Sequence, residues 1–163
     1  MLRGQSKKDN HRMPQSVAFL YAHIVFSTKN RVDYLKNKEI RERLFAYIGS
    51  ILRNNDSTPM IVGGTANHVH ILCTVSKNHP LATIMREIKR SSSKWVKNSD
   101  SSLTAFQWQS GYAAFSVSKG NLRRVSSYIA NQEKHHQRVS FEDELRDILR
   151  RQGIKIDERY LWD

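Results

Sequence analysis

Two pairs of residues in this chain have types and spacings suited to chemistry: His68 with His70, and Tyr128 with Gln132. The histidines lie in residues 65–75, an apolar, β-branched run that reads as a buried strand. Side chains alternate faces along a strand, so both imidazoles point one way and Val69 the other. Two ring nitrogens so placed can grip one metal ion. The same pattern also describes two half-buried histidines satisfied by ordinary hydrogen bonds, and the strand alone does not separate these readings. Tyr128 and Gln132 stand one turn apart on a helix read over residues 121–137, at the edge of a stripe of Leu122, Val125 and Ile129. If that helix crosses the face bearing the histidines, two imidazole nitrogens and an amide oxygen would hold a divalent cation with positions left open, as a catalytic ion requires. Nitrogen and oxygen donors without a thiolate are compatible with Mg²⁺ or Mn²⁺, although histidines accept zinc as well. Such an ion polarises a phosphodiester, and Tyr128 would be the nucleophile. A phenol that ordinarily titrates near pH ~10 needs a cation or base beside it. The product, a phosphotyrosine, conserves the energy of the broken ester, so this is chemistry of breakage and rejoining.

The elements that must position these residues follow from periodicity. Residues 17–26 form a strand candidate that is apolar on both faces. Ile40, Leu44, Ile48 and Leu52 mark a helix over residues 36–54. Residues 59–63 form a short strand, and Gly63-Gly64 connects it to the histidine strand as an antiparallel hairpin. Pro80 opens a helix whose stripe is Leu81, Ile84, Met85, Ile88 and Trp95. Residues 98–103 read as a polar linker and 112–117 as a last strand, with Trp108 and Tyr112 either stacking on bases or packing in the core. Ser140 caps a final helix with Glu142, Asp143 and Glu144 in its first turn, where the dipole favours anions, and Gly153 lies past its end. The tail after it docks on the body or on another subunit. The order β-α-β-β-α-β followed by helices predicts an α+β, ferredoxin-like (RRM-like) antiparallel sheet. Both crossover helices then cover one face, the first strand lies beside the third, and the other face is free for chemistry or nucleic acid. Residues 1–15 read as a disordered basic leader, and 16–163 as a single domain whose C-terminal helices begin near residue 120.

Lys and Arg number 27 against 15 Asp and Glu, for a net charge of +12 and a pI near 10.1. Such a surplus points to a polyanion, either nucleic acid or an anionic membrane. No apolar run approaches the ~18 residues of a membrane span, and the N-terminus has no apolar signal segment. One cysteine, Cys73, excludes an internal disulfide and fits a reducing cytoplasm. The candidate phosphate contacts are Lys29 and Arg31 after the first strand, Arg86, Lys89, Arg90 and Lys94 on the second helix, and Lys119, Arg123 and Arg124 around the start of the tyrosine helix. Each of these groups also reads as a merely solvated surface. His135 and His136 are turned about 100° apart by their adjacency on a helix, so both cannot easily join one site. They read as packing or phosphate-contacting residues, and His23 and His79 as structural ones.

Four segments taken together carry a family likeness: residues 23–29 (HIVFSTK), 67–72 (NHVHIL), 111–118 (GYAAFSVS) and 128–136 (YIANQEKHH). From about residue 13 to 163 the chain resembles the single-tyrosine HUH transposases of bacterial insertion sequences, which include the transposases associated with repetitive extragenic palindromes. The resemblance implies a metal site of His68, His70 and Gln132 and a nucleophile at Tyr128, serving its own or a partner's site. It implies cleavage of single-stranded DNA with a 5′-phosphotyrosine link, recognition of imperfect-palindrome hairpins, and a homodimer. It also implies a bacterial cytoplasmic protein, nucleoid-associated when bound to DNA. Two other readings remain: a non-catalytic nucleic-acid-binding module on the same sheet, and a metal-dependent nuclease that uses water.

Overall fold

The computed structural model describes residues 16–155 and 157–161, so the leader expected over 1–15 lies outside the described residues. The elements are β1 (Tyr21–Ser27), α1 (Lys38–Asn54), β2 (Pro59–Gly64), β3 (His68–Thr74), α2 (Leu81–Ser99), β4 (Ala113–Val117), α3 (Leu122–Ala130), α4 (Gln132–His135), α5 (Phe141–Arg151) and α6 (Glu158–Leu161). The four strands pair antiparallel in the order β2-β3-β1-β4, so the first and third strands are the central pair of a ferredoxin-like sheet. No helix among the described residues is long and apolar enough to cross a membrane.

Alternation along the central strands divides the molecule into two layers of core. Phe26 pairs with Val69, and both belong to the main core with Ile24, Ile71 and Cys73. Leu44, Ile48 and Leu52 of α1 and Ile84, Met85 and Ile88 of α2 close that face. Val25 pairs with His70 and points the other way, into a smaller cluster with Phe115, Phe141, Leu145 and Leu149. The second face is therefore not open. α3, α4 and α5 cover it, and His68 and His70 lie beneath them.

The element boundaries depart from periodicity for local reasons. β1 begins at Tyr21, opposite Thr74 of β3 and Val117 of β4, where both flanking strands end. Val17, Phe19 and Leu20 precede the paired stretch and stay exposed, although the Leu20 carbonyl still accepts from the Val75 amide at 2.7 Å. The expected linker is instead the end of α2 followed by a 3₁₀ turn, Ser101–Leu103, whose Asp100 side chain accepts from the Ser102 amide. Leu103 and Phe106 are buried there, and Trp108 is a core residue donating its indole N–H to Ser92 Oγ at 2.9 Å. The helix read over residues 121–137 is interrupted at Asn131 (φ −99°, ψ 17°), which separates α3 from α4. Ser140 caps α5 as expected, accepting from the Asp143 amide at 3.2 Å, and Gly153 (φ +70°) turns the chain beyond it. The tail docks on the body: Arg146 of α5 pairs with Glu158 of α6 at 2.8 Å.

Candidate active site

The site is assembled from both sides of a close approach. At Gly63 of β2, an added Cβ would fall 2.8 Å from Ile129 Cγ2 and 2.9 Å from the Ile129 carbonyl oxygen. Only a residue without a side chain lets α3 settle this near the sheet. That contact sets the depth of Tyr128, the neighbour of Ile129, whose ring lies 5.8 Å from His70 and 6.2 Å from His23, centroid to centroid. α4 is anchored separately. Buried Arg41 of α1 donates to the Leu35 carbonyl at 2.7 Å and forms an ion pair with Glu133, the residue after Gln132. Gln132 is thereby held with Oε1 2.9 Å from His68 Nε2. The structure thus brings Tyr128, Gln132, His68 and His70 together, although they sit on three separate elements.

Glu144 joins them from α5. One of its oxygens, Oε2, lies 3.3 Å from His70 Nε2, 3.7 Å from His68 Nε2 and 2.9 Å from His136 Nε2. The other, Oε1, accepts from the Tyr128 hydroxyl and, at 2.8 Å, from the Gln132 amide nitrogen. Sequence reasoning placed Glu144 with the acids favoured by the helix dipole. The missed signal is its register: Phe141, Glu144, Leu145, Ile148 and Leu149 follow the i, i+3, i+4, i+7, i+8 pattern of a buried stripe. A carboxylate at a core position needs partners, and here its oxygens meet His68, His70, His136, Tyr128 and Gln132.

His135 and His136 require a correction. Their rings are nearly perpendicular, at 86°. Both nevertheless face the site, because α5 folds back and places Glu144 in the angle between them. His135 Nε2 lies 3.6 Å from Glu144 Oε1 and has no hydrogen-bond partner. His23, read as structural, is 2.8 Å from His70 Nδ1 through its Nε2.

Burial governs the charges. Desolvation, reinforced by the neighbouring His70, lowers the His68 and His23 pKa values to about 3, so both rings are neutral and their lone pairs are available. Burial alone would raise the Glu144 carboxyl, but hydrogen bonds from His136 and His70 and the surrounding rings hold it well below the carboxylate range. Burial and the Glu144 charge together push the Tyr128 phenol well above its ordinary value. The Cys73 thiol, on the opposite face of the sheet, is pushed up to about 12 by burial and contributes nothing here. The donor set suits a divalent cation: neutral imidazoles, an amide and an ionised carboxylate, with one ligand atom from each of His68, His70, His136 and Glu144 all within 4.8 Å of one another.

Tyr128 opens into a cleft of about 600 Å³ that Phe115, Ser116, Arg124, His135 and Arg151 help to line. Of the candidate phosphate contacts, Arg124 is thus beside the tyrosine, and Lys119 and Arg123 are exposed near the start of its helix. Lys29 is exposed, while Arg31 pairs with Glu142 of α5 at 2.6 Å. Arg86, Arg90 and Lys94 are exposed on α2, across the sheet from the histidines. Arg90, Lys94 and Lys97 border a groove with residues 107–110. Lys89 is engaged within that region, donating to the Gln109 and Ser110 carbonyls at 3.0 Å, and burial lowers its pKa to about 8.

A family model described as "Transposase IS200 like" matches residues 16–132. A solved transposase structure from Deinococcus radiodurans R1 is similar in fold, with a TM-score of 0.56 and 19% identity, covering 81% of this chain and 98% of that one. A REP-associated tyrosine transposase bound to a REP hairpin is also similar, with a TM-score of 0.55 and 16% identity over 78% of this chain and 76% of that one. No curated protein matches the chain.

Proposed function

The chain belongs to the family of IS200-like transposases, and on that premise we propose that it cleaves and rejoins single-stranded DNA beside imperfect-palindrome hairpins through a 5′-phosphotyrosine on Tyr128. The observation that carries this reading is the hydrogen bond from the Tyr128 hydroxyl to Glu144, the carboxylate that also meets His68, His70 and His136. The nucleophile and the carboxylate that meets the histidines therefore both line a cleft of about 600 Å³. The hairpin bound by the similar REP-associated transposase supports the choice of substrate.

In the proposed reaction the Tyr128 oxygen bonds to phosphorus and the bond from phosphorus to the 3′ oxygen breaks. The 5′ phosphate remains on the tyrosine, and the departing 3′ oxygen takes a proton from water. The phenol proton passes to Glu144 Oε1, which already accepts its hydrogen bond. Burial keeps that proton on Tyr128 at rest. Arg124 and Arg151, which line the same cleft as Tyr128, favour the phenolate and the incoming phosphate. His68, His70 and Gln132 would hold Mg²⁺ or Mn²⁺, which when bound supplies Lewis-acid polarisation of the scissile phosphate. Attack by a new 3′-hydroxyl reverses the step and joins strands. The unit of activity is residues 16–163, because α5 and its Glu144 close the site, and it acts as a homodimer on nucleoid DNA in the cytoplasm.

Trapping on denaturing gels tests this. Single-stranded DNA from the regions flanking the coding sequence, chosen for imperfect palindromes and incubated with Mn²⁺, should yield a protein–DNA adduct. Tyr128→Phe and His68→Ala should each abolish it. Cleavage that survives Tyr128→Phe would assign the chemistry to water, and hairpin binding without cleavage would leave a binding module.

A further inference from the structure

Several lone pairs converge beneath α5 with too few hydrogens between them. His68 Nδ1 lies 2.8 Å from Asn67 Oδ1, and the amide nitrogen of Asn67 donates to the Arg31 carbonyl at 3.3 Å, which fixes that amide's orientation. The hydrogen of neutral His68 is therefore on Nδ1, and Nε2 is bare. His136 repeats this arrangement. Its Nδ1 lies 2.7 Å from the Val139 carbonyl, an acceptor only, so its Nε2 either carries a hydrogen to Glu144 Oε2, with the ring charged, or is bare, as a ligand's nitrogen must be. The two Nε2 atoms meet Gln132 Oε1 at 2.9 and 3.1 Å, itself an acceptor. They meet Glu144 Oε2 at 3.7 and 2.9 Å. Turning the Gln132 amide over only moves the conflict: its N–H groups would meet the two imidazoles, but its oxygen would then face Glu144 Oε1, now 2.8 Å from its nitrogen. Glu144 is only 3% exposed, and a buried carboxylate needs a compensating positive charge.

Resting on the metal-dependent reading above, we propose that Glu144 and His136 are themselves ligands, so that the ion is held by His68, His70, His136 and the Glu144 carboxylate. Gln132 then braces the carboxylate through its amide N–H. Both added ligands lie C-terminal to the family match, which ends at residue 132. A carboxylate suits Mg²⁺ or Mn²⁺ better than an amide does, because hard cations prefer anionic oxygen and the ligand cancels one of the ion's two charges. The second oxygen of the same carboxylate holds the Tyr128 hydroxyl, so the ligand that binds the ion also sets the position of the nucleophile.

The test is Mn²⁺ binding to the full-length, DNA-free protein, read from the loss of the free-ion electron paramagnetic resonance signal. The wild type should bind one equivalent. Glu144→Gln, which keeps the side chain's size and its acceptor for Tyr128, should weaken binding roughly 100-fold, the upper end of what loss of a supporting group costs. Gln132→Met should weaken it less than about tenfold. Wild-type affinity in Glu144→Gln would overturn the proposal and leave His136 as the carboxylate's protonated partner. Failure of the wild type itself to bind, with His68→Ala unchanged from it, would instead remove the metal-dependent reading. A second readout needs no variant. Spin-echo modulation from ligand nitrogens in the wild-type complex should count three imidazoles, and a count of two would overturn the role of His136.

Discussion

His23 Nε2 lies 2.8 Å from His70 Nδ1, and their rings stack with centroids 5.1 Å apart. A ligating imidazole is oriented by what its second nitrogen meets, so His23 fixes the angle at which His70 Nε2 faces the site. His23→Leu, buried and close in size, should leave the sheet intact and lower Mn²⁺ affinity about 10–100-fold. His79→Leu is the control, since the His79 ring pairs with Asp56, at 3.5 Å. Equal affinities in the two variants would reduce His23 to packing. At this scale the pairing of His68 with His70, and of Tyr128 with Gln132, was legible because strand alternation and four-residue spacing place each pair on one face, while the family resemblance joined the two pairs. Glu144 was hidden by its neighbours. Glu142 and Asp143 beside it make a first-turn acid unremarkable, and only its register with Phe141, Leu145, Ile148 and Leu149 marks it as buried. His23 was illegible for another reason: its partner lies 47 residues away across a strand pair, and no local pattern reports that.

α3 and α4 carry the nucleophile and Gln132, and each is set by one contact with the body. For α3 the contact is Gly63. Gly63→Ala places a methyl 2.8 Å from Ile129 Cγ2 and against its backbone carbonyl, so the helix must lift. The cost should be that of overpacking, ~1–3 kcal/mol, with adduct formation reduced more than stability because Tyr128 moves with Ile129. Gly120→Ala, which meets nothing within 4 Å, should change neither. For α4 the contact is Arg41. Arg41→Met strands the Leu35 carbonyl and releases Glu133, which should lower stability by ~1–3 kcal/mol in thermal melts and loosen Gln132. Unaltered melting would place the anchor elsewhere. The type and order of the elements were readable from apolar periodicity. The break at Asn131 was not, because Tyr128 and Gln132 keep a four-residue spacing across it. Nor was the late start of β1, since strand ends are decided by partner strands rather than by the hydrophobicity of the segment itself.

Across the whole molecule the sheet separates two basic regions that one net charge of +12 does not distinguish. Lys94 and Lys97 on α2 border a groove with Trp108 and residues 107–110. Arg124 lies over the opposite face, in the Tyr128 cleft. A hairpin too large for the cleft can lie along the first region while its single-stranded flank enters the second, and the two regions should then separate binding from cleavage. Phosphate contacts release counterions, so affinity falls as salt rises, with a slope of about 0.7–0.9 per phosphate contact. Lys94→Ala with Lys97→Ala should weaken hairpin binding uniformly and reduce that slope by about 1–2, leaving single-turnover cleavage at saturating protein near wild type. Arg124→Ala should change the slope by no more than about 1 yet slow cleavage at saturation, because its loss is felt where charge develops on the scissile phosphate. Filter binding from low to moderate salt, paired with saturating single-turnover assays, measures both quantities on the same DNA. If the α2 pair alters saturated cleavage and Arg124 alters only affinity, the hairpin and the cut site have been assigned to the wrong faces.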